Sequence, residues 1–120
     1  MRTLDLGSGV PVENLTVSAY RIPTDSPGES DGTLVWNATT LVLVEVRAGG
    51  ITGIGYTYAD AATARLIQET LAAVVRGMNV MATGRIWDAL VACVRNLGRS
   101  GIASMAISAV DVALWDLKAR

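Results

Sequence analysis

The chain has 120 residues, half of them apolar and under a fifth charged, with ten basic residues nearly balanced by eleven acidic ones. That is a globular composition of single-domain size, and it carries no basic stripe for nucleic acid or an anionic membrane. With no histidine and a single cysteine, Cys93, a Ser-His-Asp triad, a Cys-His pair, a histidine-ligated metal and an intrachain disulfide are all excluded within the chain.

The opening "MRTLDLGSGV" has an acidic residue where a secretory signal needs an apolar run, and no uncharged stretch approaches the ~20 residues of a membrane span. A cytoplasmic protein is therefore expected, with the sequons at Asn14 and Asn37 accidental. After this start "ENLTVSAYRI" alternates, with Leu15, Val17 and Ala19 facing one way and Thr16, Ser18 and Tyr20 the other. It reads as a half-buried strand. Pro23 to Trp36, "PTDSPGESDGTLVW", reads as a long solvated loop of the kind that serves as a lid or binding loop.

"TTLVLVEVRAGGITGIGYTY" predicts a hairpin of Leu41–Arg47, a turn at Ala48-Gly49-Gly50 and a return strand Ile51–Tyr58. Gly53 and Gly55 in the return strand mark a bulge or a close backbone approach. Asp60 is placed to cap a helix through about Arg76, with Ile67, Leu71, Val74, Val75 and Met78 inward and Arg65, Glu69, Ala72 and Arg76 opposite. Gly77 ends it. A second helix spans about Gly84–Leu97, with Ile86, Trp87, Leu90, Val91, Val94 and Leu97 on its apolar side and Gly98 as its stop. A third runs from about Ser100 to Arg120. Strands followed by helices argue for an α+β fold, a three-stranded antiparallel meander and then three helices.

The third helix is apolar on nearly every side; Ser104, Ser108 and Asp111 form its only polar stripe. Such a helix is buried all round. Three short strands and two helices can cover one side of it, so a further domain or a second subunit is expected on the other.

Candidate chemistry is sparse. "GGITGIG" lacks the third glycine of GxGxxG, since position 58 is Tyr58, and has no Walker lysine, so the hairpin reading is preferred. Asp25, Glu29 and Asp31 share the long loop without EF-hand spacing, which fits solvation better than a metal. Asp111 and Asp116 lie about 140° apart round a helix and cannot act as a pair; Asp111 is expected to bond a helix end or a neighbouring loop. Lys118, the only lysine, suits the helix C-terminus as a solvated charge. Cys93 reads as an inert, part-buried thiol. Tyr58 is expected in the core, whereas Tyr56 and the turn after it either pack or line a pocket.

The tail "AISAVDVALWDLKAR", preceded by "NLGRSGIASM", resembles the domain junction of enolase-superfamily enzymes, specifically the mandelate racemase/muconate lactonizing enzyme group. The order of elements and "EVRAGGITGIG" agree with it. The resemblance implies an N-terminal capping domain (1–100) and a linking helix (101–120) that lead into a C-terminal TIM barrel outside this chain. It implies a Mg²⁺-dependent enzyme, a dehydratase, racemase or cycloisomerase, that removes a proton alpha to a carboxylate. Metal ligands and bases would all lie in the barrel, so no catalytic or metal residue is carried over, and this chain alone should show no turnover. What carries over are two capping loops, one with Pro23, Thr24, Asp25, Asp31 and Trp36, the other with Tyr56 and Tyr58. Where relatives often end the strand with Gly-x-Gly-Glu, this chain has Tyr56 in place of the glutamate. With no arginine or lysine in the first loop, the substrate, a small carboxylate such as an acid sugar, would meet hydroxyl or apolar groups there. A homo-oligomer is expected. A stand-alone, self-associating interaction module without catalysis is the alternative.

Overall fold

The computed structural model describes residues 9–25 and 27–120; most of the opening segment read above for a signal lies outside them. Among the described residues five strands precede three helices: β1 (Asn14–Pro23), β2 (Glu29–Ser30), β3 (Val35–Trp36), β4 (Ala38–Ala48), β5 (Ile51–Ala59), α1 (residues 61–75), α2 (Thr83–Cys93) and α3 (Ile102–Ala119). The main sheet is the antiparallel meander β1-β4-β5. No helix among the described residues is long and apolar enough to cross a membrane.

The hairpin follows from its turn. Ala48 pairs with Ile51, leaving Gly49 and Gly50 at φ 57° and 77°, the doubly positive geometry that a type I′ connection demands. That turn fixes the register and so the faces. Val42, Val44 and Val46 point inward and are fully buried, opposite Ala19, Val17 and Leu15 on β1 and Thr57, Gly55 and Gly53 on β5. Each buried valine contributes ~1.5–3 kcal/mol.

α3 lies on the two glycines. A Cβ built on Gly53 would overlap the Ala113 carbonyl and stand 2.5 Å from Leu117 Cβ; one on Gly55 would overlap the Ala109 carbonyl and stand 2.5 Å from the Ala113 nitrogen. Of the two meanings a strand glycine can have, close approach is the one realised, and it sets α3 antiparallel to β5. Asp116 reinforces the contact. Its Oδ2 accepts the Ile54 N–H at 2.8 Å on the edge strand β5, which the three-strand order leaves unpaired on that side, and also accepts from Arg120 Nε at 3.1 Å.

α1 begins as expected, with Asp60 Oδ2 accepting the Ala62 N–H at 2.9 Å. It then departs from the periodicity. Residues Ile67–Leu71 form a π turn in which Ala72 N–H bonds the Ile67 carbonyl. The wider turn rotates everything after it by about one residue, so Ala72, expected on the outer face, is buried beside Leu71 and Val75. α2 stops at Cys93 rather than Leu97. Val94 is buried, but Leu97 stands in solvent in the tight turn that ends at Gly98 (φ 91°).

α3 buries Ala106, Ile107, Val110, Ala113, Leu114 and Leu117 against β5, β4, α1 and α2. It is not buried all round within this chain: Ile102, Met105, Val112 and Trp115 are exposed, on the side shared with Ser104 and Ser108. The strands and two helices cover one side only.

Replacing Gly53 or Gly55 with alanine is expected to lower stability by about 1–3 kcal/mol through overpacking. Gly84→Ala, where a Cβ meets open space, should be neutral or gain up to ~1 kcal/mol. Urea midpoints of the three variants at unchanged m-value check this. Equal midpoints for all three would contradict the contact.

Candidate functional site

The register brings the two expected capping segments to one end of the sheet. Pro23 closes β1 against Ala38, and Arg21 pairs with Thr40, which pairs in turn with Ala59 at the end of β5. From that end the stretch expected as a solvated loop continues as a ribbon. Thr24 N–H donates to the Asn37 carbonyl at 2.9 Å and Gly28 N–H to the Asp25 carbonyl at 2.7 Å. β2 and β3 then pair Glu29 with Trp36 and Ser30 with Val35. The loop is thus a built arm and not an irregular coil.

Asp31 makes the tip. Its Oδ1 accepts from Thr33 N–H at 2.9 Å, Thr33 Oγ1 at 2.8 Å and Leu34 N–H at 2.9 Å. The backbone N–H of Thr33 first, then its hydroxyl and the Leu34 N–H, hold the carboxyl below the usual carboxylate range, because each donor favours the charged form. Its carboxylate is taken up by its own turn. Beyond it Leu34 and Val35 stand 65% and 72% exposed, apolar side chains held out in water on a β-ribbon, a pattern that marks contact surfaces.

On the sheet itself Tyr56 and Tyr58 are 57% and 59% exposed, which overturns the expectation that Tyr58 is core. Side chains alternate along a strand. Since Gly53 and Gly55 face α3, Ile54, Tyr56 and Tyr58 must face away from it. The two rings meet edge to face, 5.9 Å apart at 77°. Tyr20, Leu41 and Tyr58 form one row across the three strands, and Ser18, Leu43 and Tyr56 the next. Tyr20 and Leu41 were absent from the expected site. Counting outward from the Gly49-Gly50 turn pairs Leu41 with Tyr58, so the signal was present in the sequence.

The structure therefore gathers Pro23, Thr24 and Tyr58 at one end of the sheet, with Tyr56 two residues further in. Trp36 sits half-buried in the arm, while Asp25 is exposed beside it and Asp31 lies at the tip. Among the described residues no three Asp, Glu or Cys side chains converge as metal ligands; these residues do not fit a Mg²⁺ site.

Cys93, Lys118 and Asp111 lie outside this end of the sheet. Cys93 Sγ bonds the Leu90 carbonyl at 3.2 Å and burial raises its pKa, so it is unreactive. Lys118 is more than a solvated charge: Nζ donates to the Met81 carbonyl at 3.1 Å and lies 4.9 Å from the Trp115 ring centre. Asp111 makes no hydrogen bond or ion pair among the described residues, so the expected bond to a helix end or a neighbouring loop is not made; the acid of this helix that bonds backbone is Asp116, at Ile54 of β5.

The family model described as "Mandelate racemase / muconate lactonizing enzyme, N-terminal domain" matches residues 18–120. This chain belongs to that family. A mandelate racemase/muconate lactonizing enzyme-like protein from Rubrobacter xylanophilus has a similar structure, with TM-score 0.88 and 51% identity over 92% of this chain and 30% of that one. The 3,6-anhydro-alpha-L-galactonate cycloisomerase of Streptomyces coelicolor is 34% identical over 89% of this chain and 31% of its own length. An L-talarate dehydratase from Polaromonas sp. JS666, solved in complex with Mg and L-glucarate, has TM-score 0.79 and 26% identity over 92% of this chain and 32% of its own. The chain spans about a third of the length of these mandelate racemase/muconate lactonizing enzyme relatives. The α+β meander with three helices is the fold they share with it.

The Asp116 contact gives this family member a pH signature. The Ile54 N–H first, then Arg120, hold the Asp116 carboxyl below its ordinary value. A depressed folded pKa stabilises above the ordinary carboxylate range and is lost as pH falls through it. Stability of the wild-type chain should drop below about pH 4. Asp116→Asn should flatten that limb while lowering stability at pH 7, read from urea midpoints between pH 2.5 and 7.

Proposed function

We propose that this chain is the N-terminal capping part of a Mg²⁺-dependent enzyme that abstracts a proton alpha to a carboxylate, acting as a dehydratase, racemase or cycloisomerase on a small acid such as an acid sugar. The observation that carries this reading is the gathering of the ribbon 24–37 and the end of β5 at one end of the sheet. It is supported by family membership and by relatives named as a cycloisomerase and as a dehydratase complexed with Mg and L-glucarate. The ribbon, with Pro23, Thr24, Asp25, Asp31 and Trp36, and the strand end with Tyr56 and Tyr58 close over the mouth of a barrel domain outside this chain. Closure of that kind excludes water and completes a site. The apolar tip, Leu34 and Val35, supplies contact area to the lid, while the tyrosine hydroxyls and Thr24 offer hydrogen bonds to substrate hydroxyls.

Mg²⁺, when bound, would supply positive charge to stabilise the anion left by proton loss, and we read its ligands as lying in the barrel, in keeping with the described residues bringing no three acidic or cysteine side chains together. α3 is the linking helix, residues 101–120, behind a capping domain of residues 1–100, and its exposed Met105, Val112 and Trp115 are where the barrel packs. The whole enzyme is read as a cytoplasmic homo-oligomer.

The test is a chimera in which this chain replaces the matching region of the Rubrobacter relative. The 120-residue chain alone, with Mg²⁺ and a panel of acid sugars, should give no turnover, whereas the chimera should turn over one of them. Replacing residues 25–36 of the chimera with a two-residue Asn-Gly turn should lower kcat/KM by about 100-fold, with Mg²⁺ affinity unchanged. Turnover by the isolated chain, or an arm deletion without effect, would overturn the reading.

A further inference from the structure

Between α2 and α3 runs a groove of about 330 Å³ lined by Thr83, Gly84, Trp87, Asp111 and Trp115. Helical spacing builds it. Thr83, Gly84 and Trp87 share one face of α2, and Asp111 and Trp115, four apart, share one face of α3. Gly84 keeps it open, since a Cβ there meets nothing within 4 Å. The contents are unusual for a surface groove. Two indole rings flank a half-buried carboxylate that has no hydrogen-bond or ion-pair partner among the described residues. Burial raises the Asp111 pKa, the sign of a charge lacking compensation.

Two of the nearby cations are committed elsewhere. Lys118 is tied to the Met81 carbonyl, and Arg120 bonds Asp116. Arg99 lies 5.9 Å from the Trp87 ring centre and Lys118 4.9 Å from that of Trp115, so both rings already attract positive charge. An indole face and a carboxylate together favour a planar, weakly hydrated cation, which stacks on the ring while bonding the acid.

We infer that this groove is a receptor for a guanidinium side chain, presented by the part of the enzyme that packs on α3, with Trp87 and Trp115 stacking and Asp111 accepting its N–H groups. The inference rests on the reading that another domain covers α3, and it adds the chemistry of one anchor in that contact. Charge complementarity selects the occupant: an apolar side chain would leave the Asp111 carboxylate buried without a partner, and an acidic one would repel it.

Ethylguanidinium is the probe, titrated into the 120-residue chain at constant ionic strength against sodium. The indole N–H resonances of Trp87 and Trp115 should shift saturably with a Kd on the order of 10 mM, while Trp36, in the distant arm, stays put. Asp111→Asn should weaken binding at least about fivefold, and Glu29→Gln, with the same charge change on β2 in the arm, should not. No saturable shift to about 50 mM, or equal effects of the two variants, overturns the inference even if the chimera above is active. Concentration-dependent dimerisation abolished by Asp111→Asn would put a second copy in the groove and overturn it as well. Saturable binding in a chain whose chimera is inactive would sustain the groove and sink the capping reading.

Discussion

Everything about the placement of elements in this chain depends on one contact without side chains. The backbone of α3 at Ala109 and Ala113 lies directly on Gly53 and Gly55 of β5. Helix and strand come this close only where a Cβ is missing, and once they do, the helix has little freedom to slide or turn. Small residues on both partners make the fit: Ala106, Ala109 and Ala113 on the helix are buried without exception. Asp116 then fastens the helix to the strand edge through the Ile54 N–H, so packing and hydrogen bonding enforce the same register.

Two consequences follow for the open face and the two ends of the sheet. Because the glycines occupy the helix side of β5, the alternating residues Ile54, Tyr56 and Tyr58 are forced to the open side. Across the sheet they join Leu41, Leu43 and Tyr20 in one apolar and aromatic surface. Because α3 runs antiparallel to β5, its C-terminal end lies by the Gly49-Gly50 turn, and the ribbon 24–37 rises from the opposite end, beside Ala59. The ribbon and the C-terminal end of α3 are thus held at opposite ends of a common sheet.

Much of this was legible in the residues. The Gly-Gly turn, the Asp60 cap and the stop at Gly77 are local devices, each decided by a few neighbouring atoms, and they lie where the sequence points. The exceptions are Ala48, expected in the turn but paired in β4, and α2, which ends at Cys93, short of the stop expected at Gly98. The errors lie where a distant partner intervenes. Ala72 was assigned to solvent because a 3.6-residue period was carried through the π turn at Ile67–Leu71. Tyr58 was assigned to the core because hydrophobicity does not say which face of a strand a helix will choose. Asp111 is expected to bond a helix end or a loop and bonds neither, whereas Asp116 bonds the β5 backbone; both are acids on one helix, and only the position of β5 distinguishes them. The loop 24–37, rich in Pro, Gly and Ser, hid the pairing of β2 with β3, which takes only two residues on each strand.

The sequence by itself determined the fold class, the meander followed by three helices, the place of the hairpin and the family, because periodicity, turn chemistry and the "AISAVDVALWDLKAR" pattern are properties of neighbouring residues. The tertiary structure alone decided which face of β5 is covered, which side of α3 remains open, and that Trp87, Trp115 and Asp111 meet in one groove. Those outcomes depend on how closely two backbones approach, a distance set by every side chain between them.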